Sequence, residues 1–213
     1  MKASSVLEQL QRAISLKQTV RGLDISGADL RRADLSNLTA EKLTARGTRF
    51  DYALLTGAQM IEADFSEANL EGAHLERAII GLSTLDRARM RDISLAHANF
   101  TIGYCRNADL ESADLTGADL NGSSFFSSSL EKAVLRNVNA EYTSFNSARM
   151  QQADLRDGRF INATFNSADL TGANLSGGDF SLADFRGAKL VGVNWEGARL
   201  TNTLLDDGVA PQA

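Results

Sequence analysis

The chain has 213 residues, 43% hydrophobic and 23% charged, which suits one sizeable globular domain. Its formal net charge of -5 disfavours wrapping nucleic acid through phosphate contacts, and a single cysteine, Cys105, excludes an internal disulfide and fits a reducing compartment. No stretch approaches the length of a membrane span, and Met1–Gln18 lacks the apolar segment of an export signal, so the expected setting is cytoplasmic.

In chain order, the first element is an amphipathic helix expected over Ser4–Lys17. Ser4 or Ser5 would cap its N-terminus, and Val6, Leu7, Leu10 and Ile14 mark one apolar face. A different pattern then takes over. Every fifth residue from Ile25 to Leu205 is apolar, and every phenylalanine except Phe126 falls in that register. The residue two places earlier is usually Ala, or else Gly, Ser or Thr. Six exceptions are large, Leu23, Leu38, Leu43, Ile93, Val138 and Val193; at three of them, Leu38, Leu43 and Val138, the following register residue shrinks to Ala40, Ala45 and Ala140, so core volume is roughly kept there.

A period of five matches neither the 3.6 of a helix nor the 2.0 of a strand. It fits a coil that turns a corner every five residues, with one small and one large residue pointing inward. Repeats such as Ala113–Gly117 (Ala-Asp-Leu-Thr-Gly) and Ala68–Gly72 (Ala-Asn-Leu-Glu-Gly) resemble the pentapeptide-repeat family over about residues 23–207. The resemblance implies an all-β fold, a right-handed quadrilateral parallel β-helix with twenty residues per coil. At the ~4.8 Å spacing of stacked strands this gives about nine coils and a rod about 40–45 Å long.

The expected organisation is an N-terminal helical cap over 1–22, the β-helix over 23–207 and a short tail over 208–213. A solenoid must cover its ends, and the helix is read as the N-terminal lid. The C-terminal end has no comparable element, so Trp195, Leu200, Leu204 and Leu205 form a candidate end interface, with a homodimer through that end as one outcome.

Folding the sequence with a period of twenty sorts it into four columns. The first runs through Phe65, Leu85, Cys105 and Phe125; the second through Leu70, Met90 and Leu110; the third through Leu35, Leu55 and Leu75; the fourth through Met60, Ile80 and Phe100. Most outward positions are polar. The exceptions gather at the corner after the fourth column, where Ile61, Leu82, Ile102, Tyr142, Ile161 and Leu182 recur at spacings of 19 to 21, joined by Tyr104 just beyond. A contiguous apolar stripe on a rod is a candidate protein-binding edge. Leu54, Ile79, Phe126, Val134 and Val191 are outward and apolar too, but form no such row.

Catalytic chemistry has no visible seat. His74 and His97 point outward without nucleophile or metal partners, no phosphate loop occurs, and no cofactor is expected. The recurrent Asp at Asp29, Asp34, Asp64, Asp109, Asp114, Asp119, Asp154 and Asp169 reads as corner chemistry, side-chain to backbone hydrogen bonding, and not as a carboxylate site. The reading is a non-catalytic protein-binding rod, a scaffold or adaptor. The resemblance brings an alternative, since some family members mimic DNA and bind DNA gyrase. That needs a dense acidic surface, whereas here 27 acidic residues face 22 basic ones, and one corner (Arg46, Arg49, Arg87, Arg89, Arg106, Arg149, Arg186, Lys189) collects positive charge.

Overall fold

The computed structural model describes residues 3–206. Helix α1, Ala3–Ser15, is followed by three short strands: β1, Val20–Arg21; β2, Thr39–Glu41; and β3, Gln59–Ile61. They form one parallel sheet in the order β1-β2-β3, with Val20 opposite Ala40 and Ala40 opposite Met60. Outside these strands the same register runs as single parallel bridges, each linking a residue to the one twenty places on, from Asp24↔Thr44 to Asp184↔Leu204. The strands are so short because a turn falls every five residues.

The repeat's chemistry shows why. Ile25 donates its N–H to the Thr44 carbonyl on the next coil, and Thr44 donates back to the Leu23 carbonyl. The Ile25 carbonyl then accepts the N–H of Ala28, closing the corner at 3.0 Å. The second corner residue has positive φ, 69° at Gly27 and 56° at Arg32, which is the signature of a type II turn. Backbone groups are thus satisfied by neighbouring coils without long strands. The aspartates behave as their recurrence suggests. The Asp34 carboxylate accepts the N–H of Ser36 at 3.1 Å and Asp114 that of Thr116 at 2.9 Å, and the other six named above bond the residue two places on in the same way.

The core is one continuous cluster of register and small-slot residues. The large–small exchange holds: Leu38, Leu43 and Val138 are buried beside Ala40, Ala45 and Ala140. Identical rings stack along the rod. Phe125, Phe145, Phe165 and Phe185 form one ladder with centroids 5.3, 5.1 and 4.5 Å apart, and Phe160 and Phe180 begin a second at 4.8 Å. Cys105 lies fully buried in the first column, where burial pushes its thiol pKa well up.

Helix α1 places Val6 and Leu10 in the same core cluster, with Leu7 and Ile14 packed against it. Its start differs from expectation: Ser4 and Ser5 lie within the first turn, since the helix begins at Ala3. Its end is a Schellman turn. Gln18 donates to the Ala13 carbonyl and Lys17, at φ 52°, to that of Ile14.

The C-terminal end differs from the sequence expectation in two places. Trp195 is only 7% exposed and meets Phe180 and Phe185 edge-on, so it finishes the aromatic ladders instead of facing outward. Leu204 is exposed, but it bridges Asp184 in an outward column on the side of the rod, not on its end. Leu200 and Leu205 are partly buried inward residues of the last coil. The tail 208–213 lies outside the described residues.

A candidate protein-docking edge

The corner between the fourth and first columns carries five exposed apolar residues, Ile61, Leu82, Ile102, Tyr142 and Leu182. Structure separates what the sequence had grouped. Leu82, Ile102, Tyr142 and Leu182 share one column as the second residues of their turns, 51%, 55%, 64% and 50% exposed. Ile61 and Ile161 occupy the preceding turn position, where Ile61 is exposed and Ile161 is half-buried. Tyr104 lies beyond the corner. It lies on the first side, bridging Thr84 and Ser124, with the Arg106 guanidinium 5.1 Å from its ring centroid.

The backbone under this column is the informative part. Each of its four apolar residues has positive φ, between 54° and 61°. That conformation favours Gly, tolerates Asn and Asp, and penalises every other side chain, β-branched ones most. Ile102 is the one β-branched residue with positive φ among the described residues. Only one other apolar side chain of this size shares the conformation, Tyr52, and it has local employment: its ring lies near the Arg32 guanidinium and fills the space a side chain at Gly72 would need. The remaining non-glycine corners carry polar side chains. Apolar residues thus accumulate at one corner although solvent exposure and backbone both oppose them.

A row of inward hydroxyls, buried except for the half-buried Thr203, supports the edge from inside, and sequence reasoning passed over it. Ser83, Ser123, Thr143 and Thr203 occupy the small slot of the first side and donate to the carbonyls of Met60, Phe100, Leu120 and Phe180. Ser83 and Ser123 also accept the N–H groups of Ala63 and Gly103, which would otherwise close the turns at Met60 and Phe100. The available signal was Ser or Thr recurring at multiples of twenty in a slot that from Ala63 onward is otherwise held by Ala and Gly. Ile79 and Phe126, set aside as rowless, are exposed on the flanks; Phe126 helps line a shallow groove with Arg46, Arg87 and Arg106.

The basic corner does not persist as a positive surface. Its eight members divide between the corner after the first side and the second side itself, and every one has a carboxylate partner. Arg106 grips Asp86 at 2.5 Å, and Lys189 reaches Asp169 at 3.2 Å. Placing residues twenty apart side by side turns same-sign clusters in the folded-out sequence into alternating ladders such as Arg149–Asp169–Lys189. Arg186 holds the Asp184 carboxyl well below the usual carboxylate range. His74 lies 3.1 Å from Glu76, and no cluster of His, Cys, Asp and Glu among the described residues is placed to hold a metal. Among those residues no helix is long and apolar enough to cross a membrane.

A rod of five-residue turns stacked in a twenty-residue register defines a repeat solenoid, and comparison names its kind. The family model described as pentapeptide repeats matches residues 45–80, 104–139, 143–181 and 179–206, more than half of the chain; this chain belongs to the pentapeptide-repeat family. It is similar to the crystal structure of HetL, a pentapeptide-repeat protein involved in heterocyst differentiation regulation from the cyanobacterium Nostoc sp. strain PCC 7120. There the identity is 24%, the coverage 98% of this chain and 99% of that one, and the TM-score 0.67. QnrB1, a plasmid-mediated fluoroquinolone resistance protein, aligns at 21% identity over 89% of this chain and 92% of that one, with a TM-score of 0.45. No curated protein sequence matches.

Proposed function

We propose that this chain is a non-catalytic interaction rod, a scaffold or adaptor that docks a protein along the corner formed by Leu82, Ile102, Tyr142 and Leu182, with Ile61, Ile161 and Tyr104 beside it. The rod in this reading is a right-handed four-sided β-helix of about nine coils over 23–207, closed by a helical lid over 1–22. One observation carries the proposal: four exposed apolar side chains stand in one column on backbone that disfavours them. Such costs persist where binding repays them. A cytoplasmic setting suits the single buried thiol.

The test is a double substitution, Leu82→Asn with Ile102→Asn. Asn suits positive φ, so the variant folds at least as well as the natural chain while losing the apolar strip. Affinity capture from the native host, run with both proteins, is expected to lose its specific partner in the variant. Unchanged capture would sink the proposal. A gyrase-directed role as a DNA mimic requires a one-signed acidic field, and the ladder of paired charges works against it. A supercoiling assay with and without fluoroquinolone checks that reading directly.

A further inference from the structure

We propose that the edge is self-complementary and that its occupant is a second copy of this chain, packed side by side and antiparallel. The inference rests on the edge being a docking surface and goes on to name what docks there. Along the rod the column reads Gly22, Lys42, Glu62, Leu82, Ile102, Gly122, Tyr142, Asn162, Leu182, Asn202, one residue per coil. Above Gly122 the apolar side chains alternate with a small or polar one. Gly122 itself is a notch: a methyl group built there would meet only Ile102, at 3.6 Å.

A two-fold axis perpendicular to the rods, midway between the Gly122 and Tyr142 levels, gives each of the four apolar projections a site on the other copy. Tyr142 of each copy falls over Gly122 of the other. Ile102 faces Asn162, and Leu82 faces Leu182. The column's two charges, Lys42 and Glu62, lie 3.7 Å apart and pair with each other, and Glu62 meets Asn202. On the flanking positions, Thr101 faces Ile161, Ser124 faces Ser144, and Asn121 faces Glu141, whose carboxylate Arg159 already engages. No like charges oppose each other, and the strip is isologous as a two-fold contact requires.

Spacing favours this occupant over a helix from another protein. Two coils advance about 9.6 Å, whereas seven residues of an α-helix advance about 10.5 Å and drift out of step along the strip. A second copy has the same rise at every level, so the register holds throughout. From Leu82 to Leu182 the contact runs five coils, about 24 Å. A strip of that length and one corner wide sits at the small end of specific interfaces, so the dimer is expected to be weak, dissociating in the micromolar range.

Sedimentation of the full chain across the micromolar range is expected to show a monomer–dimer equilibrium, with the dissociation constant raised at least about tenfold in the Leu82→Asn, Ile102→Asn protein, a change of about 1.4 kcal/mol. Orientation is read from Thr101→Cys and Asn162→Cys, both at the corner and neither part of the apolar strip. Mixed under oxidising conditions, the two variants are expected to form a disulfide dimer, while each alone does not, because its own copies place their cysteines three coils apart, about 14 Å, beyond disulfide reach. Cys105 is buried and takes no part. A natural chain that stays monomeric throughout, or cross-linking by either variant alone, would overturn the proposal. If the chain is monomeric yet the asparagine variant loses a captured host protein, the docking edge stands and self-association falls. If neither effect appears, both fall.

Discussion

Two columns of this rod repeat at the same twenty-residue interval and could hardly differ more. Inside, Phe125, Phe145, Phe165 and Phe185 stack nearly parallel, ring on identical ring, completely shielded. Outside, Leu82, Ile102, Tyr142 and Leu182 vary in shape, skip levels, stand half in solvent and sit on backbone that disfavours them. The inner column is what packing asks for. The outer one runs against both solvation and backbone preference, and that opposition separates a folding feature from a feature kept for another reason.

The contrast is broken most forcefully from inside. Phe165→Ala removes a ring stacked on two others and touching Phe160 and Phe180 at the neighbouring corner. The adjoining coils are fixed by their own ladders and cannot collapse into the space. The expected loss is about 3–5 kcal/mol, read as a lower denaturation midpoint.

The outer column responds with the opposite sign. Ile102→Asn exchanges a β-branched residue at φ 54° for one that accepts this backbone. Stability is expected to rise by about 1 kcal/mol, and Leu82→Asn to add somewhat less. A fall in thermal midpoint on either change would mean the edge holds the rod together, and the contrast would dissolve.

Much of this architecture was legible in advance because a solenoid repeats its constraints. Inward positions obey one rule at every coil, so Leu38 with Ala40 and Val138 with Ala140 could be read as compensating pairs before any coordinate was seen, and the aspartates as corner bonds. What was not legible depended on levels meeting in space. Trp195 looked like an exposed end residue, yet two rings from the preceding coil cover it. The positive corner vanished because its arginines found carboxylates, many of them on adjacent coils. The edge lay between these extremes. Its residues were found by period, but the backbone penalty that gives them meaning is a matter of φ, and spacings of 19 to 21 merged two neighbouring turn positions into one.

Acid offers the gentlest probe, reaching only the polar surface that both columns share. Asp154 is the clearest case. Its side chain is 18% exposed, accepts the Arg156 N–H in a corner bond, and is held by the Arg156 and Arg136 guanidiniums at 2.8 and 2.5 Å. Arg156 is the chief cause of a carboxyl pKa lowered to about 2. A folded-state value below the unfolded one of about 3.9 contributes stability fully present above pH ~4, and that contribution is lost as pH falls toward 2. Asp29, lowered to about 2 chiefly by Arg31, behaves alike. Asp154→Asn keeps an oxygen for the corner bond but gives up the charge. Its thermal midpoint is expected to lie slightly below that of the natural chain at pH 7, by the equivalent of less than about 1 kcal/mol, and the two should converge near pH 2. Parallel curves across the whole acid range would show that corner geometry alone, without the ion pairs, accounts for the aspartates.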